Sequence, residues 1–338
     1  MESFNKVIEE IQNNDYLRHM KIPFPVGQDK DGKFVIDDLA STGNIFIAGV
    51  KGSGKTIFLN TFISTLIQVK TPQELRLIMV NRTEGETDIY KDIPHLSMPP
   101  ISDPSMTGQV LNYLRDEMER RYVYFARKNV KDIAKYNEIM KRNDEEEKAL
   151  PYIVFIIEEA VNMLKDSDKP EESMNDIAAL SLKAKQAGIF FVVATNHVSD
   201  DIFANSALIS IFPNRVAFNL ESEEFKKLLE KEYGEEDSWS FGHLYYFRHL
   251  GTKPLKLETI KITEDETQDT IEKTDEDYTT SSLKSYINSN KEIDRDFRKK
   301  YLWLLSENSR LSKDNRAMML EMAKKDKEIA ELKEKLGL

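Results

Sequence analysis

One glycine-rich segment constrains the fold of this sequence more than any other feature. Residues 49–56 read Gly-Val-Lys-Gly-Ser-Gly-Lys-Thr and match the pattern G-x-x-x-x-G-K-[ST]. The apolar run Asn44–Ala48 precedes this segment, and the helical stretch Lys55–Gln68 follows it. In the order strand, loop, helix, the glycines let backbone N–H groups surround phosphate oxygens at a helix N-terminus. The alternative is a glycine-rich turn that contains an incidental lysine.

The motif predicts a site for ATP and Mg²⁺. We expect Lys55 to reach the β- and γ-phosphates, and the hydroxyl of Thr56 to ligate the magnesium ion. The expected nucleotide-binding residues are Gly49, Val50, Lys51, Gly52, Ser53, Gly54, Lys55 and Thr56.

A second apolar run, Tyr152–Ile157, ends in two acids, Glu158 and Glu159. A P-loop ATPase needs a carboxylate at the end of a neighbouring strand to hold magnesium and to polarise the attacking water. We therefore predict that Glu158 is a metal ligand and that Glu159 orients or activates water. The alternative is that both acids are exposed and open the next helix, where negative charge is favourable.

Two further candidates follow other apolar runs. The run Ile189–Thr195 leads into Asn196, whose side chain is expected to sense the γ-phosphate. The next residue, His197, is by itself weak evidence for a catalytic role. Arg215 is expected at a strand edge, where it would act as an arginine finger on the ATP of a neighbouring subunit.

The first 260 residues alternate short apolar runs with amphipathic stretches, which predicts an α/β fold with a mostly parallel sheet flanked by helices. The predicted organisation is an N-terminal helix at 1–20, an ATPase domain at 21–262, a linker at 263–283 and a helical tail at 284–338. The other predicted strands are Leu75–Val80, Val216–Phe218 and Leu244–Phe247. The other predicted helices are Thr107–Lys128, Asp132–Arg142, Glu171–Ala187 and Ser222–Tyr233.

The C-terminal part of the sequence has a different composition. The segment 263–283 is acidic, rich in threonine and poor in apolar residues, so it is predicted to be a disordered linker. From Phe297 to Leu336 the apolar residues step by alternating intervals of four and three, with Asn308 and Asn315 at core positions. This pattern predicts a coiled coil through residues 297–336 that binds a second copy or another helical protein. The alternative is an amphipathic helix that folds back on the main domain.

Composition excludes several classes of protein. Among 338 residues there is no cysteine, which removes disulfides, thiolate metal sites and cysteine nucleophiles. No apolar run approaches the length of a membrane span, so we expect a soluble, cytoplasmic protein without membrane contact. The net charge of -11 argues against bulk electrostatic coating of nucleic acid and leaves local basic patches open.

From Ile22 to Glu258 the sequence resembles the FtsK/SpoIIIE DNA translocases of the HerA/FtsK group of ring ATPases. Besides the motifs above, the matching segments are Pro23–Ala40, Ile93–Leu96, Asp116–Tyr122, Tyr136–Asn137, Leu150–Val154, Ala184–Ile189, Val193–Thr195 and Asn214–Phe218. The resemblance implies a RecA-like domain that assembles as a homo-oligomer, a hexameric ring around double-stranded DNA, and moves the DNA by ATP hydrolysis. Arg215 matches the family's arginine on its strand. Basic residues that are candidates for phosphate contacts, or for solvated helix faces, are Arg127, Lys128, Lys131, Lys135, Lys183 and Lys185.

The sequence also departs from the family pattern at strand ends. Glu158 stands where an aspartate is usual, Asn196 begins the replacement of Gln-Arg-Pro, and Asn81 begins the replacement of Asp-Pro-Lys. Near Gly242, Phe-Gly-His replaces a Gly-Asp pair. The binding residues are thus intact while the coupling residues differ.

We therefore expect a motor that translocates or packages double-stranded DNA, of the kind that a phage or other mobile element carries. The alternatives are an ATP-binding scaffold that hydrolyses weakly and recruits a partner through its coiled coil, and an ATPase similar to those of type VII protein secretion.

Overall fold

The structure is a computed structural model that describes residues 2–81, 88–91, 93–98, 100–198, 211–229, 240–248 and 253–274. The chain divides into two units, Met1–Thr279 and Thr280–Leu338. The second unit lies outside the described residues, so the coiled coil and the partner surface at 297–336 stay predictions.

Nine strands form one sheet in the order β2-β1-β9-β8-β7-β3-β6-β5-β4. The strands are β1 (Pro23–Gln28), β2 (Phe34–Asp38), β3 (Ile45–Ala48), β4 (Leu75–Val80), β5 (Tyr152–Ile157), β6 (Ile189–Thr195), β7 (Asn214–Ala217), β8 (His243–Arg248) and β9 (Leu255–Glu258). β3 pairs in parallel with β6 on one side and with β7 on the other. The segment that follows β3 therefore leaves the sheet between the carboxyl ends of two neighbouring strands.

The sheet is mixed, which corrects the prediction of a mostly parallel sheet. β4, β5, β6, β3 and β7 are parallel, whereas β8, β9, β1 and β2 pair in antiparallel fashion. Parallel neighbours need a long crossover, but antiparallel neighbours can be joined by a short turn. The chain turns from β1 to β2 through residues 29–33, and Gly32 adopts φ 80° in that turn. The prediction holds for the five strands that carry the candidate site.

Helices pack against the sheet. They are α1 (Glu2–Asn13), α2 (Leu39–Thr42), α3 (Lys55–Val69), α4 (Thr107–Lys128), α5 (Ile133–Arg142), α6 (Ala160–Lys165), α7 (Pro170–Lys183), α8 (Ser222–Leu229) and α9 (264–274). α3 is buried along most of its length, and the rings of Phe62 and Phe24 lie 5.5 Å apart where α3 packs on β1. The helix that follows the glycine-rich loop is therefore fixed by the core on several sides.

The N-terminal helix packs on the same unit. Val7 and Ile11 of α1 cluster with Ile260, and Phe4 and Ile8 cluster with Ile262. In the part of the chain that the structure describes, no helix is long and apolar enough to cross a membrane.

The acidic segment is partly helical, so the linker prediction for 263–283 is wrong for residues 264–274. The N–H of Glu266 donates to Thr263 Oγ1 at 3.1 Å, and the N–H of Thr263 donates to Glu266 Oε2 at 2.9 Å. This reciprocal pair is a capping box that satisfies two backbone donors at the start of α9. One face of α9 is buried, and its residues are Thr267, Thr270, Ile271 and Thr274. Residues 275–283 lie outside the described part.

Candidate nucleotide-binding site

The glycine-rich loop joins the end of β3 to the start of α3, as predicted. Gly52 and Gly54 adopt φ values of 78° and 116°, in the region that favours glycine. Gly49 is required for space, since a β-carbon there would lie 2.5 Å from Phe218 Cβ. The Val50 N–H donates to Asn219 O at 2.8 Å, which anchors the loop to the segment after β7.

Lys55 turns back into this loop. Its side chain is 6% exposed, and its Nζ donates to Gly49 O at 2.5 Å and to Val50 O at 3.1 Å. Nearby, Ser53 Oγ is buried and makes no hydrogen bond. An ammonium group and a free hydroxyl inside a ring of backbone are suited to phosphate oxygens, so the loop fits the nucleotide that its sequence predicts.

Thr56 and Glu158, the two predicted metal ligands, line the same pocket. Thr56 lies in the first turn of α3, and Glu158 follows the last residue of β5. A hydroxyl and a carboxylate supply oxygen ligands, which Mg²⁺ prefers, and magnesium at such sites takes further ligands from substrate phosphates. Tyr90 lines this pocket as well, and burial raises the pKa of its phenol.

An amide holds Glu158 in place. Asn81 follows β4, the strand next to β5, and its Nδ2 donates to Glu158 Oε2 at 3.1 Å. Both side chains are buried, with Glu158 9% exposed. The alternative of an exposed acid that opens a helix is therefore wrong for Glu158.

Glu159 is held in the same way from the other side. Asn196 follows β6, and its Nδ2 donates to Glu159 Oε1 at 3.3 Å. Glu159 precedes α6 but makes no side-chain cap hydrogen bond, and its backbone is left-handed with φ 49°. A left-handed glutamate is uncommon and costs conformational energy, and such residues concentrate at functional sites. The structure thus brings Glu159 and Asn196 together.

Arg215 is not at the strand edge where it was expected. β7 lies between β3 and β8, so Arg215 is in the sheet interior and is 2% exposed. Its Nε donates to Phe212 O at 3.2 Å, its Nη1 donates to Leu228 O at 3.1 Å, and its guanidinium carbon lies 5.2 Å from the ring centroid of Phe247. These contacts occupy the guanidinium within its own subunit, and its role as an arginine finger on a neighbouring subunit stays a prediction.

His197 is exposed and lies near Glu224. Its side chain is 69% exposed, and its Nδ1 lies 3.8 Å from Glu224 Oε1. The structure therefore places Asn196, and not His197, beside the site.

The candidate basic residues lie towards the opposite end of the parallel strands. Lys185 Nζ donates to Ser41 O, ahead of β3, and the N–H of Ile133 donates to Gln186 O, ahead of β6. Lys131, Lys135 and Lys183 are near these residues in sequence, and Lys128 and Lys135 pair with the acids Glu145 and Glu138. Their contribution to DNA binding stays a prediction.

Sequence reasoning missed how the segment 240–242 meets the loop. The N–H of Gly242 donates to Ser53 O at 3.4 Å, and a β-carbon on Gly54 would lie 3.4 Å from Gly242 Cα. The departure from the family pattern at Phe241-Gly242-His243 was the available signal, but the sequence does not tell which element that segment touches.

The FtsK/SpoIIIE family model matches residues 8–200, more than half of the chain. The chain belongs to this family. It is 31% identical over 264 residues to the DNA translocase FtsK of Clostridium tetani, a match that covers 78% of this chain and 35% of that protein. It is 29% identical over 276 residues to the DNA translocase SpoIIIE of Bacillus subtilis, covering 80% and 34%. The chain thus matches about a third of the length of these FtsK and SpoIIIE relatives.

Solved structures agree on the fold. The cytoplasmic domain of the type VII secretion ATPase EccC of Thermomonospora curvata superposes with a TM-score of 0.66, at 15% identity, over 75% of this chain and 31% of that one. At this identity the likeness establishes the P-loop ATPase fold alone. The FtsK/SpoIIIE family is a family of ATPases.

Proposed function

We propose that this chain is an ATP-driven motor that moves double-stranded DNA. It binds ATP with Mg²⁺ in the loop 49–56, hydrolyses it at the acids that follow β5, and works as a ring of identical subunits, with six as the expected number. The observation that carries the proposal is that Thr56, which follows Lys55 in the loop, and Glu158 line one pocket. The FtsK/SpoIIIE membership supports DNA as the cargo.

Each residue has a distinct part in the proposed chemistry. Lys55 binds phosphate oxygens, and Thr56 with Glu158 holds the magnesium ion, which supplies positive charge to the phosphates when bound. Glu159 orients the attacking water and accepts its proton. Asn196 fixes the carboxylate of Glu159 through its amide N–H.

DNA is proposed to be held through its phosphates, because a motor that moves along any sequence cannot depend on base contacts. The net charge of -11 makes binding to isolated subunits weak, so we expect tight DNA binding only in the closed ring.

The test is ATP turnover with and without long duplex DNA across a salt series. We expect DNA to stimulate turnover, and the stimulation to fall steeply as salt rises, since phosphate contacts release counterions. Lys55→Ala should abolish turnover, while Lys30→Ala, which changes an exposed lysine in the turn between β1 and β2, should retain it. Turnover that is indifferent to DNA would contradict the motor proposal.

A second candidate is an ATP-binding scaffold that hydrolyses slowly. The contact between Asn81 and Glu158 favours it, because both residues depart from the family pattern at the metal side of the site. Glu158→Asp separates the two candidates. A large gain in turnover would support the scaffold, while a loss would support a motor adapted to the longer acid that Asn81 holds.

A further inference from the structure

One exposed aromatic side chain lies beside the phosphate-binding loop. Phe241 is 62% exposed. A single exposed apolar side chain is ordinary on a protein surface. The position of Phe241 is what sets it apart from the other large apolar side chains that are exposed in the described segments, which are Tyr16, Ile89, Val123, Leu182 and Leu255.

The turn that carries Phe241 is attached to the loop. Beside Phe241, the N–H of Gly242 donates to Ser53 O at 3.4 Å, and Gly242 O accepts from the Thr259 N–H at 2.7 Å. A β-carbon on Gly54 would lie 3.4 Å from Gly242 Cα, at van der Waals contact, so the two segments are close neighbours. The turn is thus held between the loop and the segment after β9, and Phe241, the residue before Gly242, carries an exposed ring at this turn.

The loop serves only one end of a nucleotide. Its backbone donors, Lys55 and Thr56 suit phosphates and magnesium, and none of them offers a flat apolar face to a base. Phe218, an aromatic residue that lies against Gly49 and Gly54, is fully buried. Phe241 is therefore the aromatic ring that the described part of the site leaves open to a ligand.

We propose that Phe241 stacks on the adenine base of the nucleotide whose phosphates occupy the loop. The inference rests on the ATP binding in the proposed function, and it adds a base subsite to it. Stacking of a base on an aromatic side chain contributes about 1–3 kcal/mol by alanine substitution. Because every base has a π-face, this contact gives affinity for a nucleoside and little discrimination among bases.

The test compares ATP with inorganic tripolyphosphate, which carries the phosphates without a base. Dissociation constants of both are measured by calorimetry on the full chain with magnesium. Phe241→Ala should weaken ATP binding about tenfold, the equivalent of about 1.4 kcal/mol, and should leave tripolyphosphate binding unchanged. Phe241→Tyr should retain the affinity for ATP. Leu255→Ala, which removes an exposed apolar side chain on β9, is the matched control and should change neither constant.

A second measurement detects the stack itself. The fluorescence of 2-aminopurine riboside triphosphate should be quenched when this analogue binds to the wild type. It should be quenched much less when the analogue binds to Phe241→Ala. Equal affinity and equal quenching in the two proteins would overturn the inference, as would an equal loss for ATP and tripolyphosphate. A wild type that binds neither ligand would overturn the proposed function and the base subsite with it, whereas unchanged ATP affinity in Phe241→Ala overturns the subsite alone.

Discussion

The phosphate-binding loop and the ends of the neighbouring strands β4, β5 and β6 are built in different ways. The loop is one continuous segment whose glycine conformations and lysine follow its sequence motif. The strand ends draw residues from three places in the chain, and each acid there is held by an amide from the next strand. Phosphate binding is therefore a local property of the sequence, whereas the geometry of the acids depends on the register of the sheet.

The two regions also differ in charge. The loop offers N–H groups and the ammonium of Lys55, while the strand ends offer the carboxylates of Glu158 and Glu159. Asn81 and Asn196 are neutral donors, so they orient the acids without cancelling the negative charge that magnesium and the attacking water require. This difference implies that nucleotide binding and hydrolysis can be separated by mutation.

The largest expected effect comes from the loop. Lys55→Ala removes the ammonium that binds phosphate oxygens, and we expect turnover to fall by about 100-fold or more, with weaker ATP binding. The measurement is steady-state ATP hydrolysis with saturating duplex DNA, together with ATP affinity by calorimetry. Lys30→Ala is the control, because Lys30 is exposed in the turn between β1 and β2, outside the site. Normal turnover in Lys55→Ala would mean that the loop is not the site of hydrolysis.

A variant at the end of β5 should lose a comparable amount of ATP turnover without weaker ATP binding. Glu159→Gln keeps the shape of the side chain and removes the carboxylate that orients water, so turnover should fall by about 10²-fold. The dissociation constant of ATP should stay within about twofold of wild type, since the loop is unchanged. If affinity and turnover fall together, the two regions are not separable and the comparison fails.

Asn196→Ala should have a smaller effect, because Asn196 acts through Glu159 across 3.3 Å and is a positioning residue. We expect turnover to fall about tenfold, the loss of one hydrogen bond to a charged group. The decisive readout is the double variant with Glu159→Gln, which should be no worse than Glu159→Gln alone. Additive losses would show that Asn196 acts on the reaction independently of Glu159.

The parts of the fold that the sequence predicts well are those that local pattern determines. Leu75–Val80 and Tyr152–Ile157 have the predicted bounds, because strands buried on both faces read as unbroken apolar runs. β9 was missed because only Leu257 of its four residues is buried. The pairing of β1 with β9 and of β7 with β8 was missed because these partners are far apart in the chain and leave no local signal.

Two predictions were wrong, the strand-edge position of Arg215 and the linker where the structure has α9. Arg215 was expected at an edge, but whether a strand is interior depends on which strands flank it, and β8 covers β7. For α9, the acidic composition suggested a linker, although Thr263 and Glu266 had the spacing of a capping box. The buried Thr and Ile residues of α9 also recur at intervals of three and four, so the signal was present and composition outweighed it.

The smallest expected effect on the site comes from His95, which lies beside β4 and away from the loop. His95 O accepts from the Leu77 N–H at 2.8 Å, and its Nε2 lies 2.7 Å from Lys70 O. Burial lowers the pKa of His95 to about 4, against about 6.5 in the unfolded chain. The unfolded state therefore binds a proton first, so the free energy of unfolding is highest above pH 6.5 and falls as pH drops towards 4.

Between about pH 7.5 and pH 5 this single group should lower the free energy of unfolding by about 2 kcal/mol. Urea unfolding at both pH values measures the loss, and His95→Gln should reduce it by about that amount. His197→Gln, which changes an exposed histidine, should leave the loss unchanged. ATP affinity of folded His95→Gln should equal that of wild type, because His95 is hydrogen-bonded to Lys70 and Leu77 at the edge strand β4. If His95→Gln changes the affinity for ATP, the edge strand β4 and the nucleotide site are coupled.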